Sequence, residues 1–451
     1  MKKLIKNGFV VDPANKVYSK QNILIDNGKI VFITNEVPKS DVVIDAEDKI
    51  VCPGFIDIHM HEEPLNELNN TLEKSITNSM LRMGVTTAIG GNCGINTIEP
   101  KKYLDIVDEE GSPISIGLFA GHTFVREMVG NKDKYTNIKE DELRNMQKVL
   151  QENLEAGCLG ISYGIRYVPG INEEEMLETA KYCKSNNKII TAHVRDDAAY
   201  IFEAVNELAK VGIKLNIPVQ NSHIGSMAGF GQMEELLSMI DRYKANGLDI
   251  TNDCYPYYAF STRIGETTYD GDFLKRYKAD YSCIEICEGK YKGQRCNEEI
   301  FNELRKLYPK TLTVCHVMKK EDVDLALIHP NVMIASDGLM DGEQGHPRAS
   351  GTFPRFISQY VKSGKISLFN AIEKMSFMQA EKLGLSAKGR LNVGADADIV
   401  IFDINKIQDN ATFEKPTAKP NGIEYVLING EIALKDNEII NNSLGKSIRK
   451  Y

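Results

Sequence analysis

Two histidines one position apart, His59 and His61, end the strand-like run that begins Phe55-Ile56-Asp57-Ile58. In an extended strand residues i and i+2 project to the same side. Both imidazoles therefore leave the end of that strand together and can chelate one metal ion. The chain has only eight histidines, and His193 and His223 each close another strand-like run, at 188–192 and 217–220. Asp337 follows a further run at 332–335, and Cys93 stands between glycines in Gly91-Asn92-Cys93-Gly94. Imidazole, thiolate and carboxylate are the usual zinc ligands, and a thiolate disfavours magnesium or calcium. Taken singly, each has a bland reading: a strand-end histidine is as often a satisfied structural residue, and a glycine-flanked cysteine is more often inert. Jointly they point to a metal site, provided the fold brings distant strand ends together.

The middle of the chain predicts such a fold. β-rich runs ending at His61, Gly91, His122, Gly164, His193, His223, Tyr255 and Asp337 alternate with amphipathic stretches such as 174–186 and 234–245. That alternation marks a parallel α/β fold. Eight such strands make a (β/α)8 barrel of TIM type, whose C-terminal strand ends meet at the face where active sites are built. The barrel segment, 53–384, exceeds the ~250 residues of a plain barrel. The surplus is assigned to an insertion at about 256–330 over the barrel mouth. A further strand-like run at 311–317 leaves the count of eight open to revision. Residues 1–52 and 385–451 share short β-branched runs and Asn-Gly turns. Neither end is long enough to bury a sheet face alone, so both are expected to build one small β-sandwich domain.

Composition narrows the function classes. A net charge of −9 without a long Lys/Arg block excludes nucleic acid as an expected partner. No apolar run approaches the ~20 residues of a membrane span, and MKKLIKNGFVVDP lacks the apolar stretch of a signal peptide. Nine cysteines, an odd number in mostly apolar contexts such as Cys158, predict a reduced cytoplasmic chain rather than a disulfide framework. A small-molecule substrate is expected; the oligomeric state stays open.

The motifs FIDIHMH, GNCG, AHVRDD, NSHIG, YPYYAFST and IASDG resemble those of the amidohydrolase superfamily. Gly345-His346-Pro347-Arg348, GTFPR at 351–355 and ATFE at 411–414 narrow this, being similar to the N-acyl-D-amino-acid deacylase (D-aminoacylase) family. KGRL at 388–391 and ADIV at 397–400 are superfamily-wide. The cysteine of the NCG motif is specific to that branch. Other branches use a strand-four lysine, and 160–164 has none. The resemblance implies zinc-dependent hydrolysis of an N-acyl-D-amino acid to a carboxylate and a free D-amino acid. Metal-activated hydroxide would attack, with Asp337 as general acid/base. It implies one tight Zn2+ held by Cys93, His193 and His223, with His59 and His61 completing a second, weaker site that shares the thiolate. Tyr255 and Ser261 are implied partners of the substrate's α-carboxylate, and His346 joins the substrate-binding candidates.

At one position the chain departs from the family. A lysine commonly stands two residues after the strand-six histidine, and Gly225 stands there here. Arg166 and Arg263 are candidates to replace it, since a guanidinium binds a carboxylate through two parallel hydrogen bonds. His122 is expected to support the site from the end of strand three, His316 to approach the substrate from the insertion, and His329 to lie at the surface. Two other readings compete. One is a cyclic-amide hydrolase of dihydroorotase or hydantoinase type, and the other a non-catalytic relative, in which ligand positions would be eroded.

Overall fold

The computed structural model describes residues 1–340 and 345–451. Eight parallel strands form the barrel wall: β1 Phe55–Asp57, β2 Val85–Gly90, β3 Ser115–Leu118, β4 Gly160–Gly164, β5 Ile189–His193, β6 Val219–Asn221, β7 Ile250–Cys254 and β8 Val332–Ile334. Pairing runs from β1 through β2 to β3 and from β4 through β8. The short continuation Ala120–Gly121 joins the two runs by pairing with β4. The ring closes just past the ends of β1 and β8, where Met60 bridges Gly338. There the His61 amide donates to the Gly338 carbonyl at 2.9 Å and the Asp337 amide to the His59 carbonyl at 2.8 Å. Three of the residues singled out for chemistry, His59, His61 and Asp337, thus lie on the seam. Strands covered on both faces carry unbroken apolar or small residues, and β2 and β5 are buried throughout.

The helix Glu173–Ser185, between β4 and β5, matches the predicted 174–186. Asn172 caps it by accepting from the Glu175 amide, and three glutamates in its first turn complement the positive end of its dipole. Met233–Ala245 lies between β6 and β7, as 234–245 predicts. The strand-like run at 311–317 is Leu312–Cys315, the centre of an antiparallel sheet with Phe260–Arg263 and Ile284–Ile286. It belongs to the insertion, so eight barrel strands stand.

Both chain ends build one nine-stranded sheet, joined where Ile50–Pro53 pairs with Ile399–Phe402. Period-2 alternation divides that sheet's residues between two cores. Ile399 and Ile401 pack with Ile5, Val10 and Ile23, whereas Val400 and Phe402 join the barrel core. The expected class, a barrel with a small β-domain from both ends, is met.

The tail is a correction. Residues 385–451 were expected to finish in the small domain, but Ser447–Ile448 pairs in parallel with β3 at Ile116 and Gly117. Apart from Ala120–Gly121, β3 would otherwise leave one edge unpaired inside a covered wall, and buried backbone groups demand partners. Among the described residues no helix is long and apolar enough to cross a membrane.

Candidate metal and catalytic centre

Three non-glycine residues at the mouth have left-handed backbones: Cys93 at φ 53°, His223 at φ 35° and Asp337 at φ 48°. Such conformations cost about 1–3 kcal/mol each and persist only where the surroundings impose them. Cys93 is held by its neighbours. The Asn92 side chain donates to the Ile89 carbonyl at 2.9 Å and the Ile58 carbonyl at 3.2 Å. At Gly91, φ 73°, a Cβ would come within 2.1 Å of the Phe119 carbonyl oxygen, so only glycine lets the turn approach. His223 is fixed by its amide, which donates to Asp253 Oδ1 at 2.8 Å.

This backbone brings the side chains together. Cys93 Sγ lies 3.5 Å from His59 Nε2 and 3.4 Å from His223 Nε2, and the three donor atoms all fall within 4.8 Å of one another. His59, His61 and Asp337 form a second group at the same spacing. Asp337 Oδ1 is 3.1 Å from His61 Nε2 and 3.4 Å from His59 Nε2. His193 stands outside both groups, although its ring centroid is 4.4 Å from that of His223 and its buried Nδ1 has no hydrogen-bond partner. His193 still touches the sulfur, since Cys93 and His193 each act on the other through a side-chain hydrogen bond. One thiolate, two imidazoles and an unpaired buried ring nitrogen fit a zinc-type ion.

Charge overrides burial here. Burial alone would raise the Cys93 thiol, yet His59 and His223 beside it hold it well below its usual value. Burial would also raise Asp337, but Arg348, His223 and His59 keep it well below the carboxylate range. Burial would lower His61, while Asp337 and Cys93 lift it to about 9. His193 goes the other way, to about 4, through burial and the neighbouring His223. Thiolate and carboxylate are the states in which these groups bind metal.

Sequence reasoning missed three residues at this centre. Asp253 on β7 approaches His59 Nδ1 at 3.4 Å, accepts from the His223 amide and accepts from Gln220 Nε2 at 2.9 Å. It turns the His59 Nε2 edge toward the sulfur, as outer carboxylates do for ligating histidines. Ser226 Oγ lies 3.0 Å from His223 Nδ1 and does the same for that ring. Arg348 opens the helix Arg348–Phe356; it is 3% exposed, and its Nη1 lies 2.7 Å from Asp337 Oδ2. A charged residue inside an otherwise buried strand was the available signal for Asp253. Arg348 was visible only as part of its motif.

The remaining candidates are distributed unequally. The Tyr255 ring lies under the Arg348 guanidinium at 4.7 Å. Ser261 lines the cavity, but its hydroxyl donates to the Thr313 carbonyl at 2.9 Å. Arg166 pairs with Asp196 at 2.8 Å, and Arg263 donates to the Lys310 carbonyl at 2.6 Å. His346 Nδ1 accepts from the Arg348 amide at 3.1 Å while its Nε2 donates to the Ala259 carbonyl at 3.0 Å, so it positions Arg348. At Gly225 a Cβ would come within 2.8 Å of Cys254 Sγ, which leaves no space from which a lysine could start. His122 lies beside Glu175, His316 contacts Glu285 at 2.9 Å, and the half-buried His329 contacts Asp241 at 3.2 Å. The centre opens on a narrow cavity of about 30 Å³, whose lining includes His193, His223, Asp337, Arg348 and Tyr277.

Two family models, both described as amidohydrolase family, match residues 50–222 and 302–434. A D-aminoacylase of Alcaligenes xylosoxydans xylosoxydans is 29% identical over 95% of this chain and 93% of its own length. A solved D-aminoacylase with a binuclear metal centre superposes with a TM-score of 0.88 at 27% identity, covering 99% of both chains. The N-acyl-D-glutamate deacylase of Bordetella bronchiseptica, complexed with zinc and a phosphonate inhibitor, gives 0.89 at 26% identity over 99% of both chains. With the cysteine–histidine cluster at the mouth of the barrel, these likenesses place the chain in the amidohydrolase family, as a metal-dependent amidohydrolase similar to the D-aminoacylases.

Proposed function

We propose that this enzyme cleaves the amide bond of N-acyl-D-amino acids, with Asp337 as the acid/base. The observation that carries the reading is the pairing of Asp337 with buried Arg348 directly beside the Cys93–His59–His223 cluster. Cys93, His59 and His223, with His193 against them, would hold one zinc ion, and His61 with Asp337 would offer a second, weaker place. Bound there, zinc supplies Lewis acidity and brings the pKa of water to about 7.

The chain's own residues do the rest. Asp337 Oδ1, facing His59 and His61, accepts the proton of the water whose oxygen bonds to the carbonyl carbon. It then delivers that proton to the nitrogen as the C–N bond breaks, because an amine cannot depart as an anion. Arg348 keeps Asp337 ionised and, with a buried Nε that has no hydrogen-bond partner, offers a fork to the substrate's α-carboxylate. That placement supplies the cation missing at Gly225. Asp253 and Ser226 fix the ring orientations of His59 and His223. The absence of a lysine from β4 favours this branch over the cyclic-amide hydrolases. Nine free cysteines suit a reducing, cytoplasmic setting.

The test is a zinc-loaded panel of N-acetyl- and N-formyl-D- and L-amino acids, with hydantoins and dihydroorotate alongside. Turnover of the D-series is the expected result; turnover of the cyclic amides alone would reject it. Asp337→Asn should lower turnover by about 10²–10⁴-fold, the usual worth of general acid–base catalysis, with metal content retained. Near-normal activity in that variant would remove Asp337 from its role.

A further inference from the structure

A second cavity, of about 590 Å³, adjoins the first at Tyr277, which lines both. Small-molecule sites run to roughly 300–1,000 Å³, so only the second cavity has the volume for much of a ligand. Its wall is basic in a protein of net charge −9. Lys275, Arg276, Lys278 and Lys319 contribute four cations against the carboxylate of Asp272. Arg276 is engaged by Asp197 at 2.8 Å. The side chains of Lys275, Lys278 and Lys319 form no ion pair within 4 Å among the described residues. Two of these lysines come from the short helix Phe273–Tyr277 and its left-handed cap Lys278, while Lys319 belongs to a separate segment. The floor is aromatic, with Phe230 stacked on Tyr277 at 4.9 Å.

We infer that the second cavity is a subsite for a carboxylate carried at the far end of the substrate's acyl group. The inference rests on the deacylase reading above. If Arg348 holds the α-carboxylate, the amino-acid half is anchored in the narrow cavity. The acyl half hangs from the opposite side of the scissile bond and leads away from Arg348, past Tyr277. A carboxylate at its end meets three exposed lysines with no ion-pair partner of their own among the described residues, an attraction that weakens as salt is added. The substrate class is an N-(dicarboxylic acyl)-D-amino acid, hydrolysed by water to the dicarboxylate and the free amino acid.

The experiment compares N-succinyl and N-acetyl derivatives of one neutral D-amino acid, with N-acetyl-D-glutamate as a third substrate. Zinc-loaded wild type should prefer the succinyl compound in kcat/KM. Lys275→Glu/Lys278→Glu should lower the succinyl-to-acetyl ratio by about tenfold or more, the scale of a lost close charge pair. Lys319→Glu, on its separate segment, should lower the same ratio if the double variant fails to fold. An unchanged ratio in both variants overturns the subsite. So does a charge-reversal effect that falls on N-acetyl-D-glutamate rather than the succinyl substrate, which would make the occupant the amino-acid side chain. Calorimetry with succinate alone separates this from failure of the deacylase reading. If no N-acyl-D-amino acid is hydrolysed, succinate should still bind wild type and lose at least about tenfold in affinity in the double variant. No binding to wild type, or equal binding to both, overturns the inference.

Discussion

Two buried clusters in this barrel combine histidine, carboxylate and arginine, and the first of them lines the narrow cavity at the barrel mouth. In the first, His59, His61 and His223 surround Cys93 and Asp337, with Arg348 behind the aspartate. In the second, beside β3 and β4, His122 Nε2 lies 3.4 Å from Glu175 Oε1 and Arg126 Nε lies 3.0 Å from the same oxygen. Arg126 also donates to Asn131 Oδ1 at 2.7 Å and to the Asp133 carbonyl at 3.1 Å, so it holds a loop. The electrostatics diverge accordingly. At the first cluster opposite charges outweigh burial, and thiol and carboxyl both ionise. At the second burial wins: it sends His122 down to about 3, helped by Arg126, and raises Glu175 to about 6. Buried ring nitrogens without partners occur in both, at His193 and at His122. An unpaired polar atom therefore does not mark a site by itself. Convergent donors, left-handed backbone and an opening to substrate do.

This contrast can be broken by mutation. Cys93→Ala should have the largest effect, with metal lost and activity reduced to background, because the thiolate touches both nearest imidazoles. Metal analysis and turnover read it, and full metal retention would dissolve the distinction between the clusters. Glu175→Ala should instead cost about 3–5 kcal/mol of stability by leaving Arg126 as a buried unpaired charge. Denaturant unfolding should show that cost, while activity per folded molecule stays near wild type.

Asp253→Asn should be milder, with metal affinity or activity falling about 10–100-fold as for other outer partners of metal ligands. An Asp253→Asn protein with wild-type zinc affinity and rate would mean that the ring of His59 needs no such orientation. The smallest expected effect is a pH slope. The folded value of Glu175, about 6, exceeds its ordinary 4.5, so the native state binds the extra proton between them. Its contribution to stability is thus present below about pH 4.5 and is lost as pH rises through about 6. Glu175→Gln should flatten that segment of the stability profile, and an unchanged slope would assign it to another group.

Much of the site was legible because its members are strand ends. His59 and His61 share a side by the two-residue period of a strand, and a barrel gathers all C-terminal strand ends at one face. His122 shows the limit of that rule. It also follows a barrel strand, yet it begins the helix His122–Met128 and turns toward Glu175. Arg166 and Arg263 show another limit, since an arginine's partners are fixed by whichever acid or carbonyl the fold brings near. Asp196 and the Lys310 carbonyl answer those two.

By itself the sequence determined the alternation of strands and helices, the return of both ends to one sheet, and the metal-binding chemistry at the mouth. These follow from local periodicity and residue type, which a chain carries wherever it goes. Tertiary structure decided that His59 joins His223 beside Cys93, that Asp253 orients it, that Arg348 backs Asp337, and that the tail Ser447–Ile448 completes the edge of β3. Those outcomes depend on how far strand ends are staggered around the barrel and on which charges converge from distant segments. Periodicity holds no record of either distance.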